Sequence, residues 1–195
     1  MWKIGLTGSI GSGKSLVGSV FLKMGIPVYH ADIEAKRFYE YPKVIQKVIS
    51  LFGTEVLDGN GAIDKKKLAA LVFSDPHKLA CINDVIHPLV MADFHCWCDL
   101  HHQHPFVIHE AAILYESGFD ALFDRIILVT APQQLRIERV MQRDGISAEA
   151  VRQRNAWQWD DEKKLELADF VINNDGKHLL VPAVEAIRQT LLSLN

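Results

Sequence analysis

Near the N-terminus, Gly8-Ser9-Ile10-Gly11-Ser12-Gly13-Lys14-Ser15 matches G-x-x-x-x-G-K-[ST] at every specified position. The chemistry this spacing serves is the capture of a polyphosphate. Glycines reach backbone conformations other residues resist, so successive N–H groups can turn inward around a phosphate. The N-terminus of the following helix adds its dipole at the same point. Lys14 can then span the β- and γ-phosphates, and the Ser15 hydroxyl can ligate magnesium. The expected nucleotide contacts are therefore Gly8, Gly11, Ser12, Gly13, Lys14, Ser15 and Leu16. A glycine-rich turn could match by chance, but an apolar run precedes this one and a helical pattern follows it. The motif implies nucleotide binding, without specifying what the nucleotide is used for.

Three further sets of residues could complete a phosphotransfer site. Asp32 follows a short apolar segment and could orient and partly deprotonate an acceptor hydroxyl; an aspartate before Ile33-Glu34-Ala35 could equally be a helix N-cap. Glu110, just past the run Phe106–Ile108, could hold magnesium through water, or be a surface residue at a strand end. Arg136, Arg139 and Arg143 stand three and four residues apart and share a helix face, either a cationic lid over ATP or a solvated basic surface. No guanine-reading N-K-x-D occurs, and Asp58-Gly59-Asn60-Gly61 reads as a turn rather than a GTPase switch.

The elements that must position these residues follow from periodicity. Trp2–Thr7, Ile26–Tyr29, Phe106–Ile108, Arg125–Thr130 and Phe170–Ile172 read as strands. Helices are expected from Lys14 to Met24 with Gly25 as C-cap, from Pro132 to Arg143, from Ser147 to about Ala168, and from Leu179 to Leu194. Strands alternating with helices predict an α/β fold around a parallel five-stranded sheet, with ligands at the strands' carboxyl ends. The stretch 32–104 shows no convincing strand and is too long for an ordinary crossover, so a helical subdomain is expected there, with Asp64 and Ser74 as N-caps. Residues 1–31 and 105–195 would form the core.

Composition narrows the function classes. A hydrophobic fraction of 49% with 23% charged residues is that of a globular chain with a substantial core, and excludes a disordered or fibrous one. A net charge of −3 supplies no global basic field, so neither nucleic acid nor an anionic membrane is an expected partner. No signal-peptide h-region or spanning segment is seen, and 3 cysteines suit a reducing, cytoplasmic setting. In His95-Cys96-Trp97-Cys98 the two thiols would point about 200° apart on a helix, too divergent for a zinc site. Trp157 and Trp159 could stack on a base, though packing is the commoner use of tryptophan.

Taken together these residues resemble the dephospho-coenzyme A kinases. The opening IGLTGSIGSGKS is similar to that family's phosphate loop, and Ala31–Lys36 resembles its D-A-D-x-x-A-R segment, whose last aspartate is the proposed base. Ile86-His87-Pro88-Leu89 resembles its His-Pro signature, Gln142-Arg143-Asp144 its Q-R-D, Arg154–Gln158 its R-x-x-x-Q, and Ala168–Gly176 its A-D-x-V-I-x-N-x-G. The resemblance implies a P-loop kinase with a helical acceptor-binding insertion over 32–104 and a lid over about 136–160. It implies ATP and Mg2+ as co-substrate and cofactor, with phosphorylation of the ribose 3′-hydroxyl of dephospho-CoA by a monomer or weak homo-oligomer. Catalytic roles fall to Asp32, Lys14 and Arg139. Further ATP contacts fall to Arg143 and Asn174, acceptor contacts to Asp32, Lys36, His87, Glu110 and Arg154, and metal contacts to Ser15 and Glu110. Another small kinase, or a nucleotide-binding regulator without phosphotransfer, would share the loop. Three positions depart from the family pattern: Ala112 replaces the proline of Pro-Leu-Leu-x-Glu, Glu110 stands where aspartate is usual, and Lys36 replaces a common arginine.

Overall fold

The computed structural model describes residues 1–194. Trp2–Thr7 forms β1 at the centre of a 5-stranded sheet of order β2-β3-β1-β4-β5. The other strands are β2 (Val28–His30), β3 (Phe106–Glu110), β4 (Arg125–Thr130) and β5 (Phe170–Asn173), and every pairing is parallel. Such a sheet buries both faces, which is why its strands read as apolar runs rather than as alternation. Ile4, Leu6, Ile108, Ile127 and Val129 are fully enclosed, with Val17 and Phe21 of α1 (Lys14–Lys23) and Val184 of α9 (Leu180–Leu194) in the same cluster.

The first helix stops where expected, for a visible reason. Ile26 N–H bonds back to the Phe21 carbonyl and Gly25 N–H to that of Leu22, a Schellman pattern with Gly25 at φ 81°. The chain is thus turned directly into β2. After β4, α6 (Gln133–Asp144) leads to α7 (Ala148–Asn155) and α8 (Asp161–Leu165). The continuous helix expected over 147–168 is therefore broken. Trp159 N–H is captured by the Glu116 carboxylate at 2.8 Å, which an unbroken helical backbone would not permit.

Two compact units partition the chain: Met1–His30 with the stretch from Cys98 onward, and Ala31–Trp97. The second is helical, comprising α2 (Ala31–Phe38), α3 (Pro42–Phe52), α4 (Lys65–Val72) and most of α5 (Pro76–Leu100). Asp64 caps α4 by accepting from Lys66 and Lys67 N–H. Ser74 does not cap α5. Its hydroxyl turns back to the Leu71 carbonyl, and Asp75 accepts from His77 N–H instead. Pro88 lies inside α5, which runs straight through it. Buried Ile86, Val90 and Met91 on either side hold the helix together across the missing hydrogen bond. Among the described residues, no helix is long and apolar enough to cross a membrane.

Within β3, His109 is buried between Tyr29, whose ring stacks at 5.4 Å, and Phe123 at 5.0 Å. Burial pushes its imidazole down from 6.5 to about 4. The unfolded chain therefore takes up this proton near pH 6.5, while the folded protein resists it until about pH 4. Stability is intact above pH 6.5 and falls as the pH drops through this window, by up to about 3 kcal/mol. Urea unfolding at pH 7 and pH 4.5 should register that loss, and His109→Phe should remove most of the difference.

Candidate active site

The phosphate loop leaves the carboxyl end of the central strand and enters α1, in a geometry that only glycine allows at Gly8, Gly11 and Gly13. Gly11 has φ 80°, and a Cβ there would lie 2.4 Å from the backbone carbonyl oxygen of Arg136. Gly13 has φ 97°, and its Cβ would lie 2.1 Å from Asn174 Nδ2. That side-chain nitrogen donates to the Ser12 carbonyl at 2.8 Å, so the end of β5 braces the loop. Lys14 is buried and its ammonium donates to the Gly8 carbonyl at 2.9 Å, drawing the two ends of the loop together. Its charge is thus held against the loop backbone.

Beside the loop, the Ser15 hydroxyl donates to Glu110 Oε1 at 2.6 Å. Glu110 does not lie past the strand as its sequence position suggested; it is the last residue of β3 and is buried, in register with Leu6 and His30. Its second oxygen meets His30 Nδ1. A hydroxyl and a carboxylate this close are hard oxygen donors, suited to a magnesium ion that keeps waters and phosphate oxygens in its remaining positions. His30 was missed in the sequence, where nothing singles it out. Only the pairing of β2 with β3 brings it opposite Glu110.

The three arginines of α6 do not act as one face. Arg136 is buried, donating to Asn155 Oδ1 at 3.1 Å and facing Asp161 at 3.5 Å. Arg139 reaches the loop, 3.5 Å from the Gly11 carbonyl and 3.4 Å from Asn174 Oδ1. Arg143 is exposed and bonds Asp144, which also accepts from Arg154 at 3.1 Å. The Arg143 hydrogen bond, followed by the charge of both arginines, holds the Asp144 carboxyl below its usual range. Helical spacing placed the three guanidiniums on one stripe, but their separate partners draw them apart.

Asp32 lies in the first turn of α2 rather than at its cap, and it is exposed, as is Lys36 one turn later. His87 is half-buried in α5, and burial pushes its imidazole below the ordinary value, partly opposed by Asp84. Trp159 stacks nearly parallel on Tyr115, with the Lys163 ammonium 3.3 Å from its ring centre, so it serves packing. Cys98 is buried and Cys81 and Cys96 are exposed. Among the described residues, no group of three or more His, Cys, Asp or Glu is placed to hold a metal.

Comparison with known proteins decides the family. The sequence model of the dephospho-CoA kinases matches residues 2–179, nearly the whole chain. The chain belongs to the dephospho-CoA kinase family. A dephospho-CoA kinase of Bacteroides fragilis is 42% identical over 93% of this chain and 89% of its own. A crystal structure from Thermus thermophilus is 35% identical, with a TM-score of 0.84 over 100% of this chain and 98% of that one. The dephospho-CoA kinase of Campylobacter jejuni superposes with a TM-score of 0.68 at 27% identity, over 97% and 96%.

The fold of this chain is that of a P-loop kinase, an α/β sheet of 5 parallel strands flanked by helices. Within it, the departure at Ala112 leaves the neighbouring anchor intact. Glu116 accepts Trp159 N–H and forms an ion pair, at 2.8 Å, with the ammonium of fully buried Lys164. Sequence reasoning passed over Lys164, because a lysine on a short polar helix carries no sign of burial. Removing one partner from a buried pair strands the other charge, at about 3–5 kcal/mol. Glu116→Ala should lose stability on that scale in urea unfolding, and the double variant Glu116→Gln with Lys164→Met, which removes both charges and keeps an acceptor for Trp159 N–H, should lose clearly less.

Proposed function

We propose that Asp32 is the group that orients the acceptor hydroxyl and receives its proton as phosphate is transferred. The reaction is phosphorylation of the ribose 3′-hydroxyl of dephospho-CoA by ATP, giving CoA and ADP, the last step of CoA biosynthesis. The observation that carries the reading is the meeting of Lys14, Ser15 and Glu110 around one loop. These are the lysine, hydroxyl and carboxylate that a nucleotide triphosphate and its metal require. Ser15, and Glu110 through water, would hold magnesium, which would supply positive charge beside the triphosphate.

Each residue then has a defined task. The loop amides and Lys14 fix the triphosphate, and the α1 dipole favours its charge. Arg139, the α6 arginine that reaches the loop, stabilises charge on the migrating phosphoryl. Asn174 braces Ser12 near the adenine side, and Arg143 closes over the nucleotide from α6, with the lid over about 136–160. The ribose hydroxyl is a poor nucleophile at neutral pH, so Asp32 acts mainly by orientation and takes the proton late. The helical unit holds the rest of the acceptor. Lys36 and Arg154 offer charge to its phosphates, and His87, kept neutral by burial, offers a hydrogen bond. Such an enzyme works in the cytoplasm as a monomer or weak homo-oligomer.

Asp32→Asn should lower kcat by about 10²–10⁴-fold while ATP affinity stays near wild type, because the carboxylate acts on the acceptor. Coupled ADP-release assays across dephospho-CoA, nucleosides, nucleotides and small alcohols test the acceptor. Turnover should be confined to dephospho-CoA, and none with that substrate would overturn the assignment.

A further inference from the structure

Two residues of the phosphate loop, Ser9 and Ile10, occupy variable positions of the motif, yet both are gripped from the segment that follows α7. The Ser9 hydroxyl, almost fully buried, donates to Asp161 Oδ1 at 2.5 Å. Ile10 N–H donates to Gln158 Oε1 at 2.7 Å. The amide nitrogen of the same glutamine donates to the Ala112 carbonyl at 2.9 Å, two residues beyond Glu110. Asp161 turns its other oxygen to Arg136, whose own backbone carbonyl crowds Gly11 from the far side. The segment is itself fixed by the buried Lys164–Glu116 pair and by Trp159 N–H.

This arrangement bears on catalysis through the direction of one peptide. A cradle works only if its amides face the phosphate before it arrives, since ordering them on binding costs affinity. The acceptor oxygen of Gln158 fixes the Ser9–Ile10 peptide with its N–H turned out of the ring. Asp161 fixes the side chain immediately before it. Holding those two residues narrows the conformations open to Gly11 and beyond, where Arg136 and Asn174 already crowd the chain. We propose that Gln158 and Asp161 are positioning residues for ATP, setting the loop's orientation from the α7–α8 connection without touching the nucleotide themselves. The inference rests on the reading of the loop as an ATP cradle.

The experiment measures the affinity of a fluorescent ATP analogue, kcat, KM for both substrates and thermal unfolding in the wild type and three variants. Gln158→Ala and Ser9→Ala should each weaken the analogue and raise KM for ATP by about 3–10-fold, the scale of one lost hydrogen bond, with KM for dephospho-CoA nearly constant. Gln158→Glu keeps an acceptor for Ile10 N–H but loses the donor to Ala112. At high ionic strength, where its added negative charge is screened from the triphosphate, it should therefore bind ATP clearly better than Gln158→Ala even though its melting temperature falls. If ATP affinity and KM hold steady while only the melting temperature drops, the clamp is structural and the proposal fails. It fails too if, at high ionic strength, Gln158→Glu binds ATP as poorly as Gln158→Ala. Should Gln158→Ala not fold, Ser9→Ala removes a single hydroxyl, and an unchanged ATP affinity there overturns the Asp161 half. Absence of analogue binding by the wild type would instead sink the cradle reading itself.

Discussion

Close packing of backbone against the phosphate loop is the constraint on which the rest of the molecule depends. At Gly11 the chain passes so near the carbonyl of Arg136 that no side chain fits, and at Gly13 the Asn174 amide fills the corresponding space. The loop therefore cannot relax into an ordinary turn. The Lys14 ammonium ties it back to the Gly8 carbonyl at the carboxyl end of the central strand. Pre-ordering of this kind matters because phosphoryl transfer asks little covalent chemistry of the protein and much positioning.

Electrostatic organisation follows from that constraint. The chain is net acidic, so it attracts an anionic nucleotide only where cations are concentrated and partly desolvated. In the proposed site, Lys14 and Arg139 provide this at the loop itself. Of the other arginines of α6, Arg136 is committed to Asp161 and Asn155, while Arg143 pairs with Asp144 at the surface. Buried charges that belong to the scaffold, above all Lys164 with Glu116, are paired, as the cost of an uncompensated interior charge requires.

Glu110 illustrates how a departure from a family pattern is absorbed. A glutamate reaches one methylene further than an aspartate from the same strand end. Here its two oxygens divide between Ser15 and His30, so both ends of the carboxylate are fixed. His30 stands at the end of β2 directly across from it, and the longer side chain is held between two strands and a helix rather than left to wander.

The sequence by itself determined the five strands to within about two residues, the phosphate loop, and the interruption of the α/β pattern by a helical stretch. These are local signals: apolar periodicity, a glycine spacing and helix stops act over a few residues, and Gly25 ends α1 through its immediate neighbours. Tertiary structure alone decided which distant residues meet. Gln158 and Asp161 reach Ile10 and Ser9, His30 reaches Glu110, and Lys164 is buried against Glu116, although none of these pairs has a spacing that reveals it. The same long-range capture broke the helix expected over 147–168 and separated arginines that helical spacing had grouped. Side-chain partners are chosen by strand order and packing, and a linear pattern carries no record of either.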